Sequence, residues 1–309
     1  MMGNLKKALI VLGILTALLI VQAGCSRQQA NFSSGSMSQG KIQVAVSIVP
    51  QETFVRAVAR ERAEVTVLIP PGRSPENFAP SIEEMEKLSR AAVYFAAGVP
   101  AEKAAILPRV REWNKDVYIV DQAAAAARVY PDREFAPGFR DHHIWLSPRR
   151  AAVMVENIAD ELSRLDPAYA SFYRDNAREY IAQLERLDQE IRTLLGAQTQ
   201  RAFIISHPAL GYFADDYGLK MLALEEEGKE AAPRHLQEVI EFARKENIKV
   251  VFYQKETGGK QAEIVAAELG GRAESLDPLA SDYIDNLRRI AQAIAAALQE
   301  NEPAEKEKG

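Results

Sequence analysis

The sequence predicts an α/β protein with the plan lobe, long helix, lobe, and three observations predict it. Short β-branched runs alternate with helix-period patterns over residues 42–121 and again over 201–299, the signature of doubly wound parallel sheets wrapped by helices. Between these stretches, from Ser147 to Gly196, no strand pattern occurs. That interval ends in one apolar stripe, Ala177, Tyr180, Ile181, Leu184, Leu187, Ile191, Leu194 and Leu195, at spacings of three and four.

Taken in order, residues 1–24 have a basic start at Lys6 and Lys7, an apolar run from Ala8 to Val21 and small residues before Cys25. This is the layout of an export signal, and the run is shorter than the roughly 20 residues a bilayer span needs. Cys25 is the only cysteine, so no internal disulfide can form. Residues 25–40 are polar and rich in Ser, Gly and Gln, a tether with an r.m.s. reach of roughly 20 Å. Removing residues 1–24 takes away Lys6 and Lys7 and moves the formal net charge from −5 to −7. An acidic body argues against nucleic acid as a partner.

In the first lobe (41–165), strands are expected at 42–49, 64–70, 91–96 and 116–121, with helices near 51–60, 80–90 and 101–112. A long loop beginning with five alanines follows. Pro148 and Pro167 each offer a helix start. The second of these opens the linking helix (166–196), about 29 residues and roughly 43 Å long, ended by Gly196. In the second lobe (197–300), strands are expected at 201–206, 219–224, 248–254 and 271–276, with helices near 208–216, 235–246, 260–270 and 281–299. Residues 301–309 read as a charged tail.

Ligands of open parallel sheets bind beyond the carboxyl ends of the strands. The residues at those places with metal-binding chemistry are Glu76, His142, His143, His207 and Asp277. Two nitrogen and two oxygen donors from both lobes suit a divalent transition metal, and two carboxylates offset its charge. Singly, each has a plainer reading. Glu76 can be a solvated carboxylate, His207 a cap of the following helix, Asp277 a turn residue before Pro278, and the histidine pair a polar loop end. Neighbours in an extended segment point to opposite sides, so His142 and His143 are not expected to reach one ion together.

The segments "VSIVPQETFVRAVA", "LIPPGRSPENFAPSIEEMEKLSRA", "DHHIWLSPRRAAVMVENIADELSRLDP", "SHPALGYFADDYGL" and "ESLDPLASDYIDNL" make the chain resemble the TroA-like, or ZnuA-like, metal-binding lipoproteins of ABC importers for zinc and manganese. That resemblance implies two α/β lobes on one backbone helix, with the metal in the cleft between them. It implies His143, His207 and Asp277 as ligands, with Glu76 at the place of a family histidine and His142 at that of a proline. His142, Trp145, Asn77 and Tyr212 stand beside these as supporting or bystander residues. It also implies acylation at Cys25, since "VQAGC" resembles a lipobox with Gln22 for the usual leucine, and hence a lipid-anchored monomer outside the cytoplasm that serves a membrane permease.

Zinc is the expected ion, with manganese or ferrous iron as alternatives because Glu76 makes the site harder. Gln254 stands where the family commonly has glutamate, and residues 122–140 contain no histidine. Glu225 to Glu227 and His235 are expected as solvated loop residues. Two other readings stay open, a secreted zinc hydrolase and a binding lipoprotein for a chelate or organic ligand. Against the hydrolase, there is no H-E-x-x-H pair and "ISHPAL" is no nucleophile elbow. "TGGK" at 257–260 lacks the spacing of a phosphate loop.

Overall fold

Alternating apolar runs become two parallel sheets in the computed structural model, which describes residues 37–38, 40–226, 229–256 and 258–301. The export signal, Cys25, most of the tether, Glu227 and the tail beyond Asn301 lie outside the described residues. In the first lobe β1 (Met37–Ser38), β2 (Lys41–Val46), α1 (Val49–Ala59), β3 (Ala63–Val67), α2 (Ile82–Leu88), β4 (Val93–Ala96), α3 (Leu107–Trp113) and β5 (Tyr118–Asp121) follow one another. Strands β3, β2, β4 and β5 lie side by side and parallel, and β1 adds a short antiparallel piece to β2.

Residues 122–140 differ from the expected loop. The alanine run forms α4 (Gln122–Ala127), whose first turn is capped by Asp121 accepting from Ala124 N at 2.8 Å. Alanine has no period to reveal a helix but has the best helix propensity, and a cap is enough to start one. A small hairpin, β6 (Glu134–Ala136) and β7 (Phe139–Arg140), then leads to the histidine pair.

Helix α5 (Pro148–Leu165) starts where Pro148 predicts, with Ser147 Oγ accepting from Arg150 N. The linking helix α6 (Ala170–Gly196) is preceded by a 3-10 turn at Pro167–Tyr169, so its α-helical part has 27 residues and is roughly 40 Å long. Its stripe is buried at Ala177, Tyr180, Leu184, Leu187, Ile191 and Leu195, while Ile181 and Leu194 are partly covered. Asn176 joins the buried face because its Nδ2 donates to Val58 O at 2.9 Å.

The second lobe contains β8 (Ala202–Ile205), α7 (Gly211–Tyr217), β9 (Lys220–Ala223), a hairpin of β10 (Glu225–Glu226) and β11 (Lys229–Glu230), α8 (Pro233–Lys245), β12 (Val250–Gln254), α9 (Lys260–Glu268), β13 (Arg272–Leu276) and α10 (Tyr283–Glu300). Its parallel strands are ordered β13-β12-β8-β9. The chain winds from β8 to β9 on one side and crosses back to β12 on the other, so the topological switch point lies between β8 and β12. One apolar cluster runs from the first sheet through α6 to Phe203, Phe252 and α10, and a smaller one fills the outer side of the second sheet. The lobes thus share a core at the linking helix.

Candidate metal centre

Four side chains from both lobes converge beyond the carboxyl ends of the strands. His207 follows β8 by two residues and is 3% exposed. His142 and His143, from the loop before α5, are 5% and 2% exposed. Glu76 comes from the loop after β3, which is pinned by the buried Phe78 and by Ala101 N donating to Pro75 O at 3.0 Å.

Three donor atoms form a near-equilateral triangle. His143 Nε2 and His207 Nε2 are 3.3 Å apart, and Glu76 Oε1 lies 3.7 Å and 3.5 Å from them. A four-coordinate zinc with bonds of about 2.0–2.1 Å spaces its ligands by about 3.3–3.4 Å. The edges of the triangle therefore fit one such ion with only small adjustments.

Each imidazole of the triangle is backed by a carboxylate. Asp141 Oδ1 accepts from His143 Nδ1 at 2.9 Å and from His143 N at 3.0 Å, and Glu225 Oε2 accepts from His207 Nδ1 at 2.8 Å. Such carboxylate–imidazole pairs orient the ring and leave Nε2 as the nitrogen that could ligate an ion. Asp141 is itself held by Arg133 at 3.2 Å, and its carbonyl accepts from Tyr212 Oη at 2.9 Å. A Cβ on Gly211 would approach Asp141 Oδ2 to 2.5 Å, so a side chain there would push the Asp141 carboxylate and the Arg133 guanidinium aside.

The electrostatics sort the group further. Burial pushes His143 down to about 4, helped by the neighbouring charge of His142 and opposed by Asp141. Burial acts the same way on His207, but hydrogen bonds to Glu225 and Glu76 outweigh it and raise that imidazole to about 9. Burial would raise Glu76, yet His142 and His207 hold it well below the usual carboxylate range. Asp141 is also lowered, its burial being overcome by the bond from His143. Two ring nitrogens 3.3 Å apart need a proton between them when no ion is there, and His207 is the group that carries it.

The expectation that His142 and His143 face opposite ways is wrong. His142 Nε2 lies 2.6 Å from Glu76 Oε1, and the two imidazole rings are 4.1 Å apart. Alternation needs extended backbone, whereas His143 has φ −80° and ψ 40° at the entry to a 3-10 turn. Glu76, His142 and His143 offer ligand atoms within 4.8 Å of one another. The triangle through His207 is tighter, and it is the better cage for an ion.

Asp277 is not brought to the cluster. Its Oδ2 faces Lys255 Nζ at 3.4 Å, its Oδ1 accepts from Leu279 N at 3.1 Å, and it lines a separate surface hollow of about 470 Å³. The loop after β13 does reach the crevice through Pro278 and Leu279, but the carboxylate of Asp277 is turned to Lys255 and to the backbone of Leu279.

Among the flanking residues, Trp145 and Gln254 line the crevice, Tyr212 holds the loop from beneath, and Asn77 is exposed. Glu225 is no mere solvated loop residue, since it carries His207. His235 faces Ala223 O at 2.9 Å rather than the cluster. Asp141 was missed although it adjoins the pair, because its partner is fixed only by the local fold.

A crevice of about 10 Å³, lined by Glu76, His143, Trp145, His207, Gln254 and Leu279, gives access to the triangle. That is room for one water-sized body.

Relatives carry the same architecture. The chain is 28% identical over 324 residues to the zinc-binding lipoprotein AdcA of Streptococcus pneumoniae, an alignment covering 97% of this chain and 62% of AdcA. The chain thus spans less than two thirds of AdcA. It is 25% identical over 307 residues to the high-affinity zinc uptake system protein ZnuA of Bacillus subtilis, covering 92% of this chain and 96% of that one. A crystal structure of ZnuA superposes with a TM-score of 0.79 at 34% identity, over 84% of this chain and 99% of the other. The periplasmic zinc-binding protein TroA of Treponema pallidum, at 19% identity and TM-score 0.75 over 84% and 99% of the two chains, shares the fold. Residues 44–297, well over half of the sequence, match the model of the periplasmic zinc-uptake complex component A, ZnuA, and the chain belongs to that family.

Proposed function

We propose that the protein is the extracytoplasmic carrier of a metal importer, which captures zinc through Glu76, His143 and His207 and delivers it to the permease of an ABC transporter. The observation that carries this reading is the triangle of donor atoms 3.3–3.7 Å apart, drawn from both lobes and backed by Asp141 and Glu225. The names of AdcA and ZnuA support zinc as the cargo. Manganese and ferrous iron are the alternative cargoes. Acylation of Cys25 and a monomeric state complete the proposal.

Capture by residues of both lobes favours the arrangement in which the lobes approach, and the shared core along α6 limits their relative motion to a modest tilt. In this arrangement the crevice of about 10 Å³ has the size for one ion or water, which suits a carrier of a bare ion. The test is a competition titration of dialysed protein with zinc and manganese. One tightly held zinc per chain is expected, and a chain that ignores bare ions while binding a chelate would overturn the reading.

Binding should also release protons. Near pH 7 the ion displaces the proton on His207, raised to about 9, whereas His143, lowered to about 4, has none to lose. Calorimetry in buffers of different ionisation enthalpy should give about one proton per zinc between those values. Release should fall toward none above pH 9 and rise below pH 4. No release at pH 7 would contradict this assignment.

A further inference from the structure

The three imidazoles of the cluster are not equivalent. His143 and His207 turn Nδ1 to a carboxylate, so Nε2 is the nitrogen that each can offer to an ion, that of His207 once its proton is displaced. His142 turns Nε2 to Glu76 Oε1 at 2.6 Å. A carboxylate can only accept, so that nitrogen carries the hydrogen and is a donor rather than a ligand. The oxygen it reaches is the same Oε1 that faces the other two Nε2 atoms. We infer that His142 is a positioning residue that holds Glu76 as a one-oxygen ligand and thereby favours a small four-coordinate ion such as zinc over manganese; this rests on the metal-capture reading.

The reason is the number of acceptor sites on one oxygen. Oε1 can serve His142 and the ion together. To offer both oxygens to the ion at the triangle, the carboxylate must turn about its side-chain bonds, which moves Oε1 relative to the imidazole and weakens a short charge-assisted hydrogen bond. The imidazole cannot follow, because it is 5% exposed, packed 4.1 Å from the ring of His143 and 6.1 Å from that of Phe135. Manganese prefers more oxygen donors and a higher coordination number, and zinc is satisfied by four ligands. A locked carboxylate therefore withholds from manganese the extra oxygen it needs and costs zinc nothing.

The test compares wild type, His142→Phe, which keeps the ring without the donor, and His142→Gln, whose amide can still donate. Zinc and manganese affinities are read by competition titration, and the zinc shell by X-ray absorption. His142→Phe should lose about ten- to a hundredfold in zinc affinity, with a smaller loss for manganese, so that the zinc-to-manganese ratio falls about tenfold. His142→Gln should restore the ratio to within about threefold, and the zinc shell should keep the same imidazole count in all three proteins. An unchanged ratio in His142→Phe, no rescue by Gln, or loss of an imidazole from the shell would overturn the inference while leaving metal capture intact. A wild-type chain that takes up no zinc would overturn both.

Discussion

His207→Ala should abolish the rise in melting temperature that zinc gives the wild-type protein. At free zinc about a thousandfold above Kd, a ligand that binds only the folded state stabilises it by about 4 kcal/mol. For a body of this size each 1 kcal/mol is worth about 2–4 °C, so a wild-type rise of about 8–16 °C is expected. His207 supplies one corner of a triangle with no spare nitrogen at that position, and its loss also strands Glu225, whose carboxylate it now engages at 2.8 Å. The residual shift should be under about 1 °C. His143→Ala should behave alike, because Asp141, 0% exposed, then loses the imidazole it carries. Asp277→Ala is the contrast: its carboxylate faces Lys255 rather than the triangle, so most of the shift should survive. Differential scanning fluorimetry with and without zinc separates the cases. A full shift in His207→Ala, or a greater loss in Asp277→Ala than in His207→Ala, would put the ion somewhere else.

That contrast marks where local pattern stops being informative. His143 and His207 were legible because each stands just past an apolar run or before a proline-started helix, which fixes the end of the sheet it occupies. The same reasoning pointed to Asp277 and failed. Position after a strand gives the end of a sheet but not the direction of each side chain in the loop that follows, and there Leu279 faces the crevice while Asp277 turns its carboxylate to Lys255. The direction expected of His142 was wrong for a different reason: the two-residue period belongs to extended backbone, and one turn-like residue at His143 removes it. The carboxylates behind the imidazoles were harder still. Glu225 lies 18 residues from His207 and meets it only because β9 runs beside β8. By contrast α6 was plain, since an unbroken stripe of eight apolar residues at helical spacing has few other uses. Its first turn tightened to 3-10 after Pro167, which shifts the α-helical start to Ala170.

Trp145→Ala should destabilise the metal-free protein by about 3–5 kcal/mol, the cost of emptying a large aromatic site in a close-packed core. Trp145 is 1% exposed and sits where the lobes meet. Its Nε1 donates to Pro278 O at 2.9 Å, and its carbonyl accepts from Tyr283 Oη at 2.5 Å. Tyr283 in turn packs edge-on against Phe54 at 4.8 Å, so the contact runs from α1 of the first lobe to α10 of the second. Trp145→Phe keeps one ring and the backbone carbonyl, and loses the donor to Pro278 with part of the ring volume. It should cost about 1–3 kcal/mol, from one unpaired buried carbonyl and a small cavity. Denaturant midpoints at constant slope measure both. Equal losses in the two variants would mean that the hydrogen bond rather than packing joins the lobes, and no loss in either would mean that the lobes are held elsewhere along α6. The same indole lies 5.3 Å from the ring of His143, so the alanine variant should also weaken zinc binding, by letting that imidazole drift from the triangle. A variant with lowered stability and unaltered zinc affinity would separate the lobe contact from the ligand support that this geometry assigns to one residue.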